Sequence, residues 1–101
     1  MVKQLIQVGQ DVNEQDSRGL TPLHKASWEG HVEVVNIMIL AGGKVNIQSQ
    51  SGYTPLHQAS RNGQAEVITA LLTAGADKTI ENTDGKTPHD VAKNQDCKNA
   101  L

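Results

Sequence analysis

The chain has 101 residues, a net charge of −2 and almost no aromatic content: no Phe, one Trp (Trp28) and one Tyr (Tyr53). That length allows one small domain, and its core must be built from aliphatic side chains in thin layers. The balanced charge offers no basic stripe for nucleic acid, the single cysteine (Cys97) forbids an internal disulfide, and no stretch is apolar enough for membrane insertion.

The opening segment, MVKQLIQVGQ, carries Lys3, Gln4 and Gln7 among its apolar positions, so it lacks a signal-peptide core and an intracellular protein is expected. Residues 1–20 read as a partial repeat, the second helix and loop of a unit whose first helix is missing. Gly9, Asp11 and Gly19 stand 33 residues before Gly42, Lys44 and Gly52. Nothing polar shields Val2, Leu5 and Ile6 at this end. The chain is therefore expected to be a fragment of a longer array, or to be covered there by something else.

The first complete unit spans 21–53 and the second 54–86, each opening on Thr-Pro-Leu-His. A Thr before a Pro is a strong helix start, because the hydroxyl accepts from a free N–H and the ring presets φ. A short helix is predicted from Pro22 to Glu29 and again from Pro55 to Asn62, with Gly30 and Gly63 supplying the left-handed stop. Second helices are predicted over Val32–Ala41 and Ala65–Ala74. Val34, Val35, Met38 and Ile39 form the apolar stripe of the first, and Val67, Ile68, Leu71 and Leu72 that of the second. Each unit then closes with a polar, glycine-bearing loop. A decayed copy follows at 87–101. Its His89 and Asp90 replace Leu and His, Asp96 falls at the turn-glycine position, and its polar residues suit a capping layer.

The run Gly-x-Thr-Pro-Leu-His-x-Ala-Ser-x-x-Gly, an apolar helix and Ala-Gly resembles the ankyrin repeat, over essentially the whole chain. Among the departures, Lys44 stands where Asp11 and Asp77 stand in the other copies, and Thr73 replaces Leu40. The resemblance implies an all-α solenoid of stacked helix–loop–helix units with short β-hairpin fingers. It also implies a concave groove of fingers and first helices that binds a partner protein, with no cofactor and no small-molecule substrate.

The chemical candidates are weaker. His24 and His57 lie one layer apart, roughly 10 Å for packed helices, too far to share one zinc ion. They read as buried partners of the backbone and of Thr21 and Thr54. His31 falls at a helix start and His89 in the cap. Ser27 and Ser60 are copies of one small packing position, and Cys97 sits among polar residues with no histidine at a suggestive spacing. No enzyme and no metal site is expected.

Positions that differ between copies face solvent, since packing does not dictate them. In the first unit these are Arg18, Leu20, Lys25, Trp28 and Glu29; in the second, Tyr53, Gln58, Arg61 and Asn62. Trp, Tyr and Arg dominate binding hot spots, so these nine are the expected partner-binding residues. The plainer reading makes Trp28, Tyr53 and Leu20 packing residues, and the competing function is a spacer or a self-associating interface. Finally, Leu5-x5-Asp11-Val12-Asn13 resembles an asparaginyl hydroxylase site of this family, which makes Asn13 a candidate for hydroxylation. The alternative is that Asn13 and Asn46 only satisfy turn backbone.

Overall fold

The computed structural model describes residues 12–101, so the expectations for Val2, Leu5, Ile6, Gly9 and Asp11 lie outside the described residues. Within that span the chain forms six helices: α1 (Pro22–Glu29), α2 (Val32–Leu40), α3 (Pro55–Arg61), α4 (Ala65–Thr73), α5 (Pro88–Val91) and α6 (Gln95–Ala100). α1 packs on α2 and α3 on α4 within layers. Between layers α1, α3 and α5 line up as one row and α2, α4 and α6 as another. The predicted helices α2, α3 and α4 each end one residue earlier than the repeat pattern suggests, with Gly42 and Gly75 just beyond their ends at φ 97° and 95°.

Each layer starts with the same cap. The Thr21 hydroxyl accepts from the His24 N–H at 3.3 Å, and the Thr21 N–H donates to His24 Nδ1 at 3.0 Å. With Nδ1 used as an acceptor, Nε2 carries the proton and donates to the Tyr53 carbonyl at 2.7 Å. His57 repeats this arrangement with Thr54 and with the Lys86 carbonyl at 2.8 Å. One side chain thus closes a helix start and ties it to the next finger. In the last layer Asp90 takes over the cap, accepting from the Thr87 N–H at 2.9 Å. A carboxylate has no N–H to donate onward, so the tie stops there.

The core lies between the two rows. Leu23, Leu56, Val35, Val67, Ile68 and Leu71 are fully or almost fully buried, with Met38, Ala26 and Ala59 filling the gaps. Val34, Ile39 and Leu72 are half-buried and pack against this cluster. In α4 Val67, Ile68 and Leu71 are all buried because α2 and α6 flank it, whereas among the described elements only α4 stacks on α2.

Two expectations for the last layer are corrected. Asp96 does not occupy a turn-glycine position; it lies inside α6. The first helix stops after four residues because Ala92 is extended (φ −60°, ψ 131°) and the Lys93 N–H donates across to the Ser60 carbonyl at 2.9 Å. Asn94 then starts a new helix by accepting from the Cys97 N–H at 3.0 Å. Cys97 itself is not in a polar setting: it is fully buried in the apolar cluster, and burial pushes its thiol above the ordinary cysteine range.

The fingers are hairpin-like turns, and no residue among those described is a strand. Each is closed by two backbone bonds, Asp16 N–H to the Leu20 carbonyl and Gly19 N–H to the Asp16 carbonyl in the first, with Ser49–Tyr53 and Gly52–Ser49, then Asn82–Lys86 and Gly85–Asn82, repeating them, which is too short a ladder to propagate. Neighbouring fingers share single backbone bonds, from the Gln50 N–H to the Arg18 carbonyl and from the Thr83 N–H to the Ser51 carbonyl, at 2.9 and 3.0 Å. This close approach explains Gly52: a Cβ there would lie 2.8 Å from the Thr83 nitrogen, and its φ of 80° already favours glycine.

Candidate functional site

A concavity of about 350 Å³ opens where the first finger meets α1 and α3. Arg18 and Leu20 reach it from the finger. His24, Lys25, Trp28 and Glu29 line it from one face of α1, and Gln58 and Arg61 from α3. The spacings three and four apart on α1 and three apart on α3 set these side chains on one helical face. The structure therefore brings together seven of the nine residues singled out by their variation between copies. His24 is the addition; as a motif residue it reads only as core.

Trp28 and Arg61 occupy equivalent positions one repeat apart, and they touch. The Arg61 guanidinium lies 5.7 Å from the Trp28 ring centroid and 4.8 Å from that of Tyr53. Tyr53 does not line the cavity itself but packs edge-on to the His57 ring at 5.4 Å. Trp28 remains 40% exposed, so its indole is available to a ligand as well as to Arg61. Its backbone is fixed by two donors, the Asn62 side-chain amide at 2.6 Å and that of Gln64 at 3.2 Å, both onto the Trp28 carbonyl. Asn62 is turned to that bridge and away from the cavity lining. In the sequence nothing distinguishes Gln64 from an ordinary exposed polar residue.

The electrostatics are local. Lys25 pairs with Asp16 at 3.3 Å, and the Glu29 carboxylate lies 3.4 Å from His31 Nδ1. Asp16 also accepts the N–H groups of Arg18 and Leu20 at 2.9 Å, which fixes the finger and holds its carboxyl below the usual range. Neither Arg18 nor Arg61 has a carboxylate partner among the described residues. Gln58 keeps a buried side-chain oxygen that meets no donor. Among the described residues no group of three or more His, Cys, Asp or Glu could hold a metal ion, and no helix is long and apolar enough to cross a membrane.

A family model for ankyrin repeats, in three copies, matches residues 1–82. The chain belongs to the ankyrin repeat family. The search of curated proteins returns no match. Ankyrin repeats are protein–protein interaction modules rather than catalysts, and the buried histidines agree with that role. Each uses both ring nitrogens on the backbone, and burial pushes both below the ordinary histidine range, partly offset by the bond to the following finger. No imidazole nitrogen at either position is left to act as a base or ligand.

Asn13 sits at the edge of the first described finger. Its side-chain oxygen accepts from the Lys44 N–H at 2.7 Å and its amide donates to the Gly42 carbonyl at 3.2 Å. Asn46 repeats the first of these bonds with the Asp77 N–H at 2.8 Å. The finger asparagines therefore staple one repeat to the next.

Proposed function

We propose that this ankyrin stack binds a segment of a partner protein in the concavity between the first finger, α1 and α3. The observation that carries this reading is the aromatic pair held by Arg61: a half-exposed indole on a fixed backbone, beside a cation seated on two rings. Such groups lose little conformational freedom on binding, so contact with them yields more net affinity than contact with floppy side chains. Arg18, Leu20, Lys25, Glu29 and Gln58 complete the lining. Tyr53 and Asn62 support it from behind, Tyr53 by carrying Arg61 and Asn62 by fixing Trp28. The chain acts by binding alone, inside the cell, as one piece of an adaptor or scaffold.

Affinity capture from cell extract followed by crosslink mapping tests the reading. Proteins retained by the intact chain should crosslink to Lys25 and be lost with a Trp28→Ala, Tyr53→Ala double variant that keeps its helical circular dichroism. Retention unchanged in the double variant would reject the site.

A further inference from the structure

We infer that the occupant of this concavity is an acidic peptide segment carrying an apolar side chain. The inference rests on the concavity being the binding surface and adds the chemistry of what fills it. The chain as a whole is negative, yet three of its nine Lys and Arg residues line this one hollow, against one of its eleven acidic residues. Of the three, Lys25 is already matched by Asp16, which leaves two guanidinium groups, Arg18 and Arg61, without a carboxylate among the described residues.

The two are held differently, and both ways favour a planar anion. Arg61 lies against the rings of Trp28 and Tyr53. Rings take up the faces of a guanidinium and leave its in-plane N–H donors to a carboxylate. Arg18 is anchored through its own carbonyl, which accepts from the Gln50 N–H at 2.9 Å, so its side chain springs from a fixed finger. Leu20 and Trp28 supply the apolar ground between them. A hollow of about 350 Å³ admits a few side chains and no folded domain, so the fit is to a short extended segment.

Trp28 is the only tryptophan, so its fluorescence reports the site directly. The intact chain is titrated with three short acetylated peptides of the same design, leucine alternating with glutamate, glutamine or lysine, and with an oligouridylate as an anion of another class. The glutamate peptide should bind about tenfold more tightly than the glutamine peptide, with added salt erasing the difference. Arg18→Gln and Arg61→Gln should each weaken the glutamate peptide more than the glutamine peptide, so that the ratio of their affinities falls toward one. Equal binding of the glutamate and glutamine peptides would overturn the acidic inference and leave the binding surface standing. So would an oligouridylate response that matches or exceeds the glutamate peptide's. Failure of every peptide to perturb Trp28 also overturns it, and the surface itself is then judged by the crosslinking test on the Trp28→Ala, Tyr53→Ala variant.

Discussion

The guanidinium of Arg61 lies over the indole of Trp28, its own counterpart one repeat earlier, at 5.7 Å from the ring centroid. A repeat array sets equivalent positions side by side, so a cation and an aromatic at one such position meet without further design. Removing the cation in Arg61→Ala should uncover the indole. Trp28 emission shifts to the red and its quenching by acrylamide rises, while stability falls by no more than about 1 kcal/mol, as for an exposed cation–π pair. Arg61→Lys keeps the charge and should fall between the two. An emission spectrum identical to that of the parent chain would show that Arg61 does not cover the ring in solution.

The paired histidines give the stack a pH dependence. Burial lowers both pKa values from the ordinary 6.5; the bonds to the Tyr53 and Lys86 carbonyls pull them part of the way back up, with smaller help from Asp16 for His24 and Asp90 for His57. The unfolded chain therefore binds more protons, and the stability due to neutral imidazoles is complete above the unfolded value and lost as pH falls through the lowered folded values. Protonation at Nδ1 would set a donor against the Thr21 or Thr54 N–H and break the cap. The thermal midpoint should drop between about pH 7 and about pH 5, well above the range where carboxylates titrate. His24→Gln, which can donate and accept but does not titrate, should flatten the slope. A midpoint constant over that window would rule out the buried neutral tautomer.

Much of this was legible in the sequence because the period carries it. Two copies of Thr-Pro-Leu-His fixed the caps, and the apolar stripes of α2 and α4 fixed the core row. Variation between copies then picked out Lys25, Trp28 and Arg61. What escaped depends on offsets between layers. Asn62 varies between copies yet is committed to the Trp28 carbonyl, and Asp16 looks like an ordinary turn residue until its carboxylate meets Lys25. The polar sequence neighbours of Cys97 hide its burial; α6 turns Cys97 fully inward, with Ala100 three residues on packed against the same core, and leaves the polar residues outside. The period puts Asp96 at a turn because it assumes a first helix of full length, whereas α5 ends at Val91.

A ladder of glutamines runs along the fingers. Gln15 donates to the Gly19 carbonyl at 2.9 Å and to the Gln48 carbonyl at 3.1 Å; Gln48 donates to the Gly52 carbonyl at 3.0 Å and the Glu81 carbonyl at 3.1 Å. The third position of the series is Glu81, which has no donor to continue it. Gln48→Glu removes two donated bonds and brings a carboxylate against two carbonyl oxygens. It should lower unfolding free energy by about 1–2 kcal/mol in urea titration. Glu81→Gln at the end of the ladder should change stability little. A Gln48→Glu variant as stable as the parent would mean that water replaces the ladder without loss.

Asn13 poses the sharpest choice, because its structural role and the modification its sequence setting suggests would compete for one side chain. Its oxygen holds the Lys44 N–H and its amide the Gly42 carbonyl, and Asn46 shows that this staple recurs where the next repeat begins. Asn46→Ala leaves the Asp77 N–H to water and should cost about 1 kcal/mol. Asn13→Ala should cost at least as much, since both the Lys44 and the Gly42 bonds are lost. If Asn13 is also a hydroxylase substrate, the enzyme must first draw the residue out of that staple. Loosening the neighbouring finger with Gln48→Glu should then speed modification. Incubation with an asparaginyl hydroxylase followed by peptide mass spectrometry should show one added oxygen on Asn13, gained faster in the Gln48→Glu variant. A peptide that stays unmodified in both chains would leave Asn13 with the staple as its whole role.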